Sequence, residues 1–154
     1  MVKPATPATE EDLKFLVALC VVSLCDQGLF KPSDFGNWAI CFDDTGEVEK
    51  KGFLGATGSQ DNVQHILLNP KLTAKNLFPT IAHEMIHVTQ FMKGDAENGD
   101  GTSRMKWKGV EYELLPGNHP DYEKQPWEEE AYRLSPQILA DIKSIGIRSI
   151  IQIY

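Results

Sequence analysis

Residues 76 to 92 constrain this chain more than any other stretch. Phe78, Ile81, Ala82, Met85, Ile86 and Thr89 recur at helical spacing, which marks one packing face on a 3.6-residue period. The pattern predicts a helix from about Asn76 to Met92. Pro79 falls in its first turn, where a missing N–H is tolerated, and Gly94 is its stop. His83 and His87 stand inside it, four residues apart. On an α-helix that spacing sets both imidazoles on one face, one turn apart, close enough to share a single ion.

The remaining segments can be read around that helix. Thr9 followed by Glu10, Glu11 and Asp12 is a helix start, and Leu13, Leu16, Val17, Cys20 and Leu24 continue it until Gly28. Trp38 to Phe42 reads as a strand and Asp43 to Gly46 as the turn after it. Lys51 to Leu54 reads as a second short strand, Gly55 to Asn62 as a loop, and Val63 to Leu68 as a strand ended by Asn69-Pro70. Asp95 to Thr102 is polar and glycine-rich, a surface loop. Met105 to Leu115 suits a short hairpin or irregular strand, and Pro116 to Gln125 a loop. Pro126 opens a last long helix to about Ser144, and Ile145 to Tyr154 is β-prone.

These elements predict an α+β fold: a single domain over 9–154, preceded by a flexible arm over 1–8. A small mixed sheet from 37–68, with 104–115 as a further contributor, would pack against the N-terminal, motif and C-terminal helices. At 154 residues the chain suits one core.

Composition narrows the partners. Fifteen basic against 22 acidic residues give a net charge of -7 without a Lys/Arg cluster, so a nucleic-acid partner is not expected. The longest apolar stretch, Phe15 to Cys25, is short of the roughly 20 residues a membrane span needs. It follows three acids rather than a basic segment, so no signal peptide or membrane association is expected. Cys20, Cys25 and Cys41 are an odd set without a CxxC pair, which argues against a disulfide framework or a cysteine zinc site. The expectation is a soluble cytoplasmic protein of unspecified oligomeric state.

The chemistry lies in His83-Glu84-Met85-Ile86-His87. Neutral imidazoles are good zinc ligands. Glu84, beside the first of them, can reach a water at the metal's open position and serve as general base. A catalytic zinc needs a third protein ligand. The extended pattern HExxHxxGxxH fails here, because Gln90 stands at its glycine and Lys93 at its last histidine. His119 in a loop and the acids Glu128, Glu129 and Glu130 opening the last helix remain, and a helix-borne Glu is the more rigidly held.

His83-Glu84-x-x-His87, followed on a later helix by Glu128-x-x-Ala131, resembles the zincin metallopeptidases of the gluzincin kind, including minimal single-domain members. Pro126-Trp-Glu-Glu-Glu-Ala-Tyr132 is also similar to the Pro-x-Glu-x-Glu-Ala segment of small bacterial and phage-type HExxH proteins. The likeness covers about Leu77 to Leu139. It implies one Zn²⁺ per chain on His83, His87 and Glu128, with Glu130 as second choice for the third ligand; His119 stays a second choice on the residues alone. It also implies a peptide or protein substrate, cleaved with Glu84 as base. Tyr132 stands where gluzincins carry an Asp that orients a histidine. SprT-like proteases share the motif but take a His soon after it, and none occurs from Val88 to Lys108. Peptidases of this kind stabilise the oxyanion with a Tyr or His, which leaves Tyr112, His119, Tyr122 and Tyr132 open. They pair an extended substrate with a sheet edge, for which Val63 to Leu68 is the expected strand. Two alternatives use the same residues: a zincin-like scaffold that binds a protein without catalysis, and a zinc hydrolase of a non-peptide amide.

Overall fold

The computed structural model describes residues 7–34, 36–101 and 103–150, with backbone alone for 145–150. Helix α1 spans Glu10–Asp26 and begins with a reciprocal cap. The Thr9 hydroxyl accepts from the Asp12 amide at 3.1 Å, and the Asp12 carboxylate accepts from the Thr9 amide at 3.1 Å. Of the expected N-terminal arm, residues 1–6 lie outside the described residues. Its last two are fastened: the Ala8 amide donates to the Leu72 carbonyl at 2.9 Å, and Pro7 bridges Thr73.

Strand β1 (Trp38–Phe42) leads through Asp43 to a one-turn helix, α2 (Glu47–Lys50). The Asp43 carboxylate organises this corner by accepting from Thr45 and from the Val48 amide. Lys51 to Leu54, expected as a strand, is instead the turn leaving α2. The strand comes next, β2 (Gly55–Gln60), in the segment expected to be a loop. Gly-Ala-Thr-Gly-Ser-Gln has neither β-branched density nor apolar alternation. What makes it a strand is its antiparallel pairing with β3 (Val63–Leu68). The hairpin between them turns on Asp61 and Asn62, both left-handed (φ 52° and 61°). Such a two-residue turn matches the twist of the strands it joins.

The first sheet has the order β1-β3-β2, with β1 parallel and β2 antiparallel to β3. Val63–Leu68 is therefore the central strand and cannot offer an edge to a substrate; β2 is the edge on the motif-helix side. The segment expected to extend this sheet forms a second one. Strands β4 (Ala96–Asn98), β5 (Arg104–Trp107) and β6 (Val110–Glu113) pair antiparallel in that order. β4 lies in the stretch read as loop, whose three strand residues are too few to show a period.

Helix α3 (Ala74–Met92) carries the motif. It starts two residues earlier than expected, so Pro79 sits in the second turn. Helix α4 (Pro126–Ile150) runs past the expected end at Ser144. Once a helix is propagating, each further residue adds a backbone hydrogen bond, which here outweighs the β-propensity of the isoleucines. Residues 151–154 lie outside the described residues.

The core forms where α1, α3 and α4 meet the inner face of the first sheet. Leu24, Ile66, Leu68, Leu77, Ile81 and Ile138 are all fully buried. Each such side chain contributes roughly 1.5–3 kcal/mol by leaving water. The fold is thus α+β, with small mixed sheets packed against an N-terminal helix, the helix bearing His83 and His87, and a C-terminal helix bearing Glu128. Among the described residues, no helix is long and apolar enough to cross a membrane.

Candidate metal centre

From Glu84 to Gln90 every residue is buried, because α3 runs between the first sheet, α1 and α4. His83 and His87 emerge on its α4 side, where the first turn of α4 meets them. Pro126 opens that turn, and Glu128 follows with only 4% of its surface exposed. His83 Nε2 lies 3.0 Å from Glu128 Oε2, and His87 Nε2 lies 3.2 Å from Glu128 Oε1. The two Nε2 atoms are 3.2 Å apart, with the rings nearly perpendicular at 83°.

These three side chains suit a cation by geometry and by chemistry. Ligands about 2.0–2.1 Å from a tetrahedral zinc are about 3.3 Å from one another, close to the observed spacing. Two imidazole nitrogens and one carboxylate oxygen are also a donor set zinc accepts. His83, His87 and Glu128 could therefore hold a metal ion, and the arrangement fits a zincin-like site.

The electrostatics agree. Burial opposes charge on His87, but Glu128, with Glu84 nearby, holds the imidazolium up to about 9. Burial likewise opposes charge on Glu128, yet hydrogen bonds from His83 and His87 hold its carboxyl down to about 2. The Glu128 carboxylate is thus a buried anion that draws a positive charge to the two imidazoles beside it.

His87, Glu128 and the neighbouring Glu84 are each steadied by a further hydrogen bond. His87 Nδ1 lies 2.8 Å from Gln90 Oε1, and the Gln90 amide nitrogen donates to the Trp127 carbonyl at 2.9 Å and to Glu130 at 3.2 Å. The Tyr122 hydroxyl donates to Glu128 Oε1 at 3.2 Å. Glu84, 7% exposed, receives a 2.5 Å hydrogen bond from the Thr57 hydroxyl of β2. Its stem lies against Gly55, where a Cβ would stand 3.1 Å from Glu84 Cγ. Close approach of the strand to the helix explains that glycine.

A cleft of about 760 Å³ opens onto the group. Glu84, His87, Glu128, Tyr122 and the Thr57 segment of β2 line it on the polar side. Phe53, Phe91, Met105 and Trp127 line it on the apolar side.

The other expected residues fall elsewhere. Glu130 stands behind Gln90 and near Arg133, outside the group of three residues. His119 accepts the Asp121 amide at 3.0 Å in its own loop. Tyr132, half exposed, packs its ring 4.7 Å from that of His83. Tyr112 packs edge-on against Trp127 at 5.7 Å. Of the four oxyanion candidates only Tyr122 lines the cleft. Sequence reasoning missed two residues. Gln90 registered only as a mismatch to a glycine, although its place three residues after His87 puts it on the same face. Thr57 sat in an apparent loop, with no local signal.

The chain matches no family model, and no curated protein or solved structure matches it.

Proposed function

We propose that this protein is a zinc-dependent metallopeptidase. The observation that carries the reading is the convergence of His83, His87 and Glu128 within 3.0–3.2 Å, with the buried carboxylate of Glu84 in the same cleft. A site that only bound a structural ion would close around it and need no carboxylate beside an open face. His83, His87 and Glu128 would hold the zinc, which would supply Lewis acidity and a water nucleophilic at neutral pH.

The protein's own residues supply the rest. Glu84 takes a proton from the attacking water and returns it to the leaving amine. Thr57 keeps the Glu84 carboxylate in one orientation. Tyr122 turns its hydroxyl from Glu128 to the carbonyl oxygen and donates to it as charge develops there. Burial first, and the Glu128 and Glu84 carboxylates second, raise the Tyr122 pKa far above neutrality, so the hydroxyl keeps its proton. The apolar wall of the cleft favours a substrate with a bulky apolar side chain beside the scissile bond, and the edge strand β2 gives an extended backbone a pairing partner.

The deciding experiment measures zinc per chain by elemental analysis, then cleavage of a peptide library by the zinc-loaded protein. About one equivalent of zinc and cleavage abolished in Glu84→Gln supports the reading. Zinc uptake with no cleavage of any peptide points to a non-peptide amide or to a binding scaffold. Folded protein that takes up no zinc sinks the enzyme.

A further inference from the structure

We infer that Gln90 is the positioning residue of the metal centre: it presents His87 through Nε2 and ties the helix carrying the histidines to the helix carrying Glu128. The inference rests on the zinc reading above. It starts from an amide whose orientation the surroundings dictate.

Gln90 is 1% exposed and makes three polar contacts. The Trp127 carbonyl, 2.9 Å away, can only accept a hydrogen bond, so the NH₂ end must face it. The same end also reaches the Glu130 carboxylate at 3.2 Å, a second acceptor. The amide oxygen is thereby turned to His87 Nδ1 at 2.8 Å. An amide oxygen cannot donate, so Nδ1 must carry the hydrogen. Nε2 is then the nitrogen that gives up its proton when a metal binds, and its lone pair is directed at His83 and Glu128. One buried amide selects the tautomer that a metal requires.

The same contacts define distance between elements. Trp127 and Glu130 flank Glu128 in the first turn of α4, so Gln90 anchors the backbone from which the third donor projects. The group that orients His87 lies on α3 itself, three residues beyond it. Glu130 orients the orienter, which explains a carboxylate in that turn other than the one facing the histidines.

Two measurements test this without reference to hydrolysis: zinc affinity by competition with a chromophoric chelator, and NMR of ¹⁵N-histidine-labelled, zinc-loaded protein. The unmodified protein is expected to show His87 bound through Nε2, with a slowly exchanging Nδ1–H. Gln90→Leu is expected to weaken zinc binding by about 10- to 100-fold and to lose the slow Nδ1–H. Gln90→Glu keeps an acceptor for Nδ1–H but sets a carboxylate against the Trp127 carbonyl and Glu130. It is expected to keep the tautomer and still bind zinc more weakly, and it serves if the leucine variant does not fold. Affinity unchanged within about twofold in both variants, or His87 bound through Nδ1, overturns the inference. Zinc uptake with this Gln90 dependence but no peptide cleavage supports it and removes only the peptidase reaction. No zinc uptake by the unmodified protein overturns both together.

Discussion

Thr57, on the edge strand β2, donates a 2.5 Å hydrogen bond to the carboxylate of Glu84 on α3. The contact joins the sheet to the one acidic side chain of the motif. It holds in a fixed orientation the carboxylate that the proposed reaction uses as its base, at a strand position with no apolar character. Thr57→Val keeps the shape and removes the donor. We expect zinc content to be unchanged and kcat for peptide cleavage to fall by about tenfold, the scale of one neutral hydrogen bond to a charged group. Equal kcat in the two proteins would deny Thr57 this role.

Gly55 allows that contact by letting β2 approach the helix. A Cβ there would stand 3.1 Å from both Glu84 Cγ and Thr80 Cγ2, and 3.3 Å from Leu68 Cδ2. Leu68 is fully buried and has little room to yield. Gly55→Ala is therefore expected to destabilise by about 1–3 kcal/mol and to slow turnover by displacing Glu84. Thermal denaturation and steady-state kinetics check the two parts; a variant as stable and as fast as the parent would mean that the strand simply retreats.

A metal bound here would compete with a proton for the same group. His87 is held up to about 9 in the metal-free protein, so below that pH zinc must displace a proton. Zinc affinity is expected to rise by about tenfold per pH unit from about 7 to 9 and then level off. Titration calorimetry in buffers of different ionisation enthalpy would read the released proton directly. A pH-independent affinity over this range rules out the protonated resting state.

The same groups make the stability of the metal-free protein depend on pH. The folded value of His87 is raised above 6.5, so its contribution is fully present below about 6.5 and lost as pH rises through about 9. Glu128 is depressed below 4.5, so its contribution is present above about 4.5 and lost as pH falls towards about 2. Metal-free protein should therefore melt at a lower temperature at pH 9.5 than at pH 6. Saturating zinc should lessen the difference, since it replaces the proton. A Tm equal at the two pH values would contradict the pairing of His87 with Glu128.

The third donor can be identified by substitution. Glu128→Ala is expected to lose stoichiometric zinc, whereas His119→Ala and Glu130→Ala should retain about one equivalent, the latter with weakened affinity through Gln90. Elemental analysis after dialysis distinguishes them. Loss of zinc in His119→Ala would move the site into the 116–125 loop.

The amino-acid sequence by itself determined the elements whose signal is local. The capping residues of α1, the strands Trp38–Phe42 and Val63–Leu68 and the i,i+4 histidines of α3 were legible, because apolar period and capping chemistry act over a few residues. So was a Glu at the start of α4 as the partner of those histidines, through the resemblance of the motif pair. Tertiary structure decided whatever depends on pairing between distant segments. Gly55–Gln60 became a strand because β3 and a left-handed Asp61-Asn62 turn hold it there, so the edge of the sheet passed from β3 to β2. Residues 104–113 joined β4 rather than the first sheet. Glu128 was separated from Glu130 by the rotation of α4 about its axis, which points one carboxylate at the histidines and the other at Gln90. That rotation is set by the packing of Trp127, Ala131 and Ile138 against the rest of the molecule, a sum of long-range contacts that no window of sequence contains.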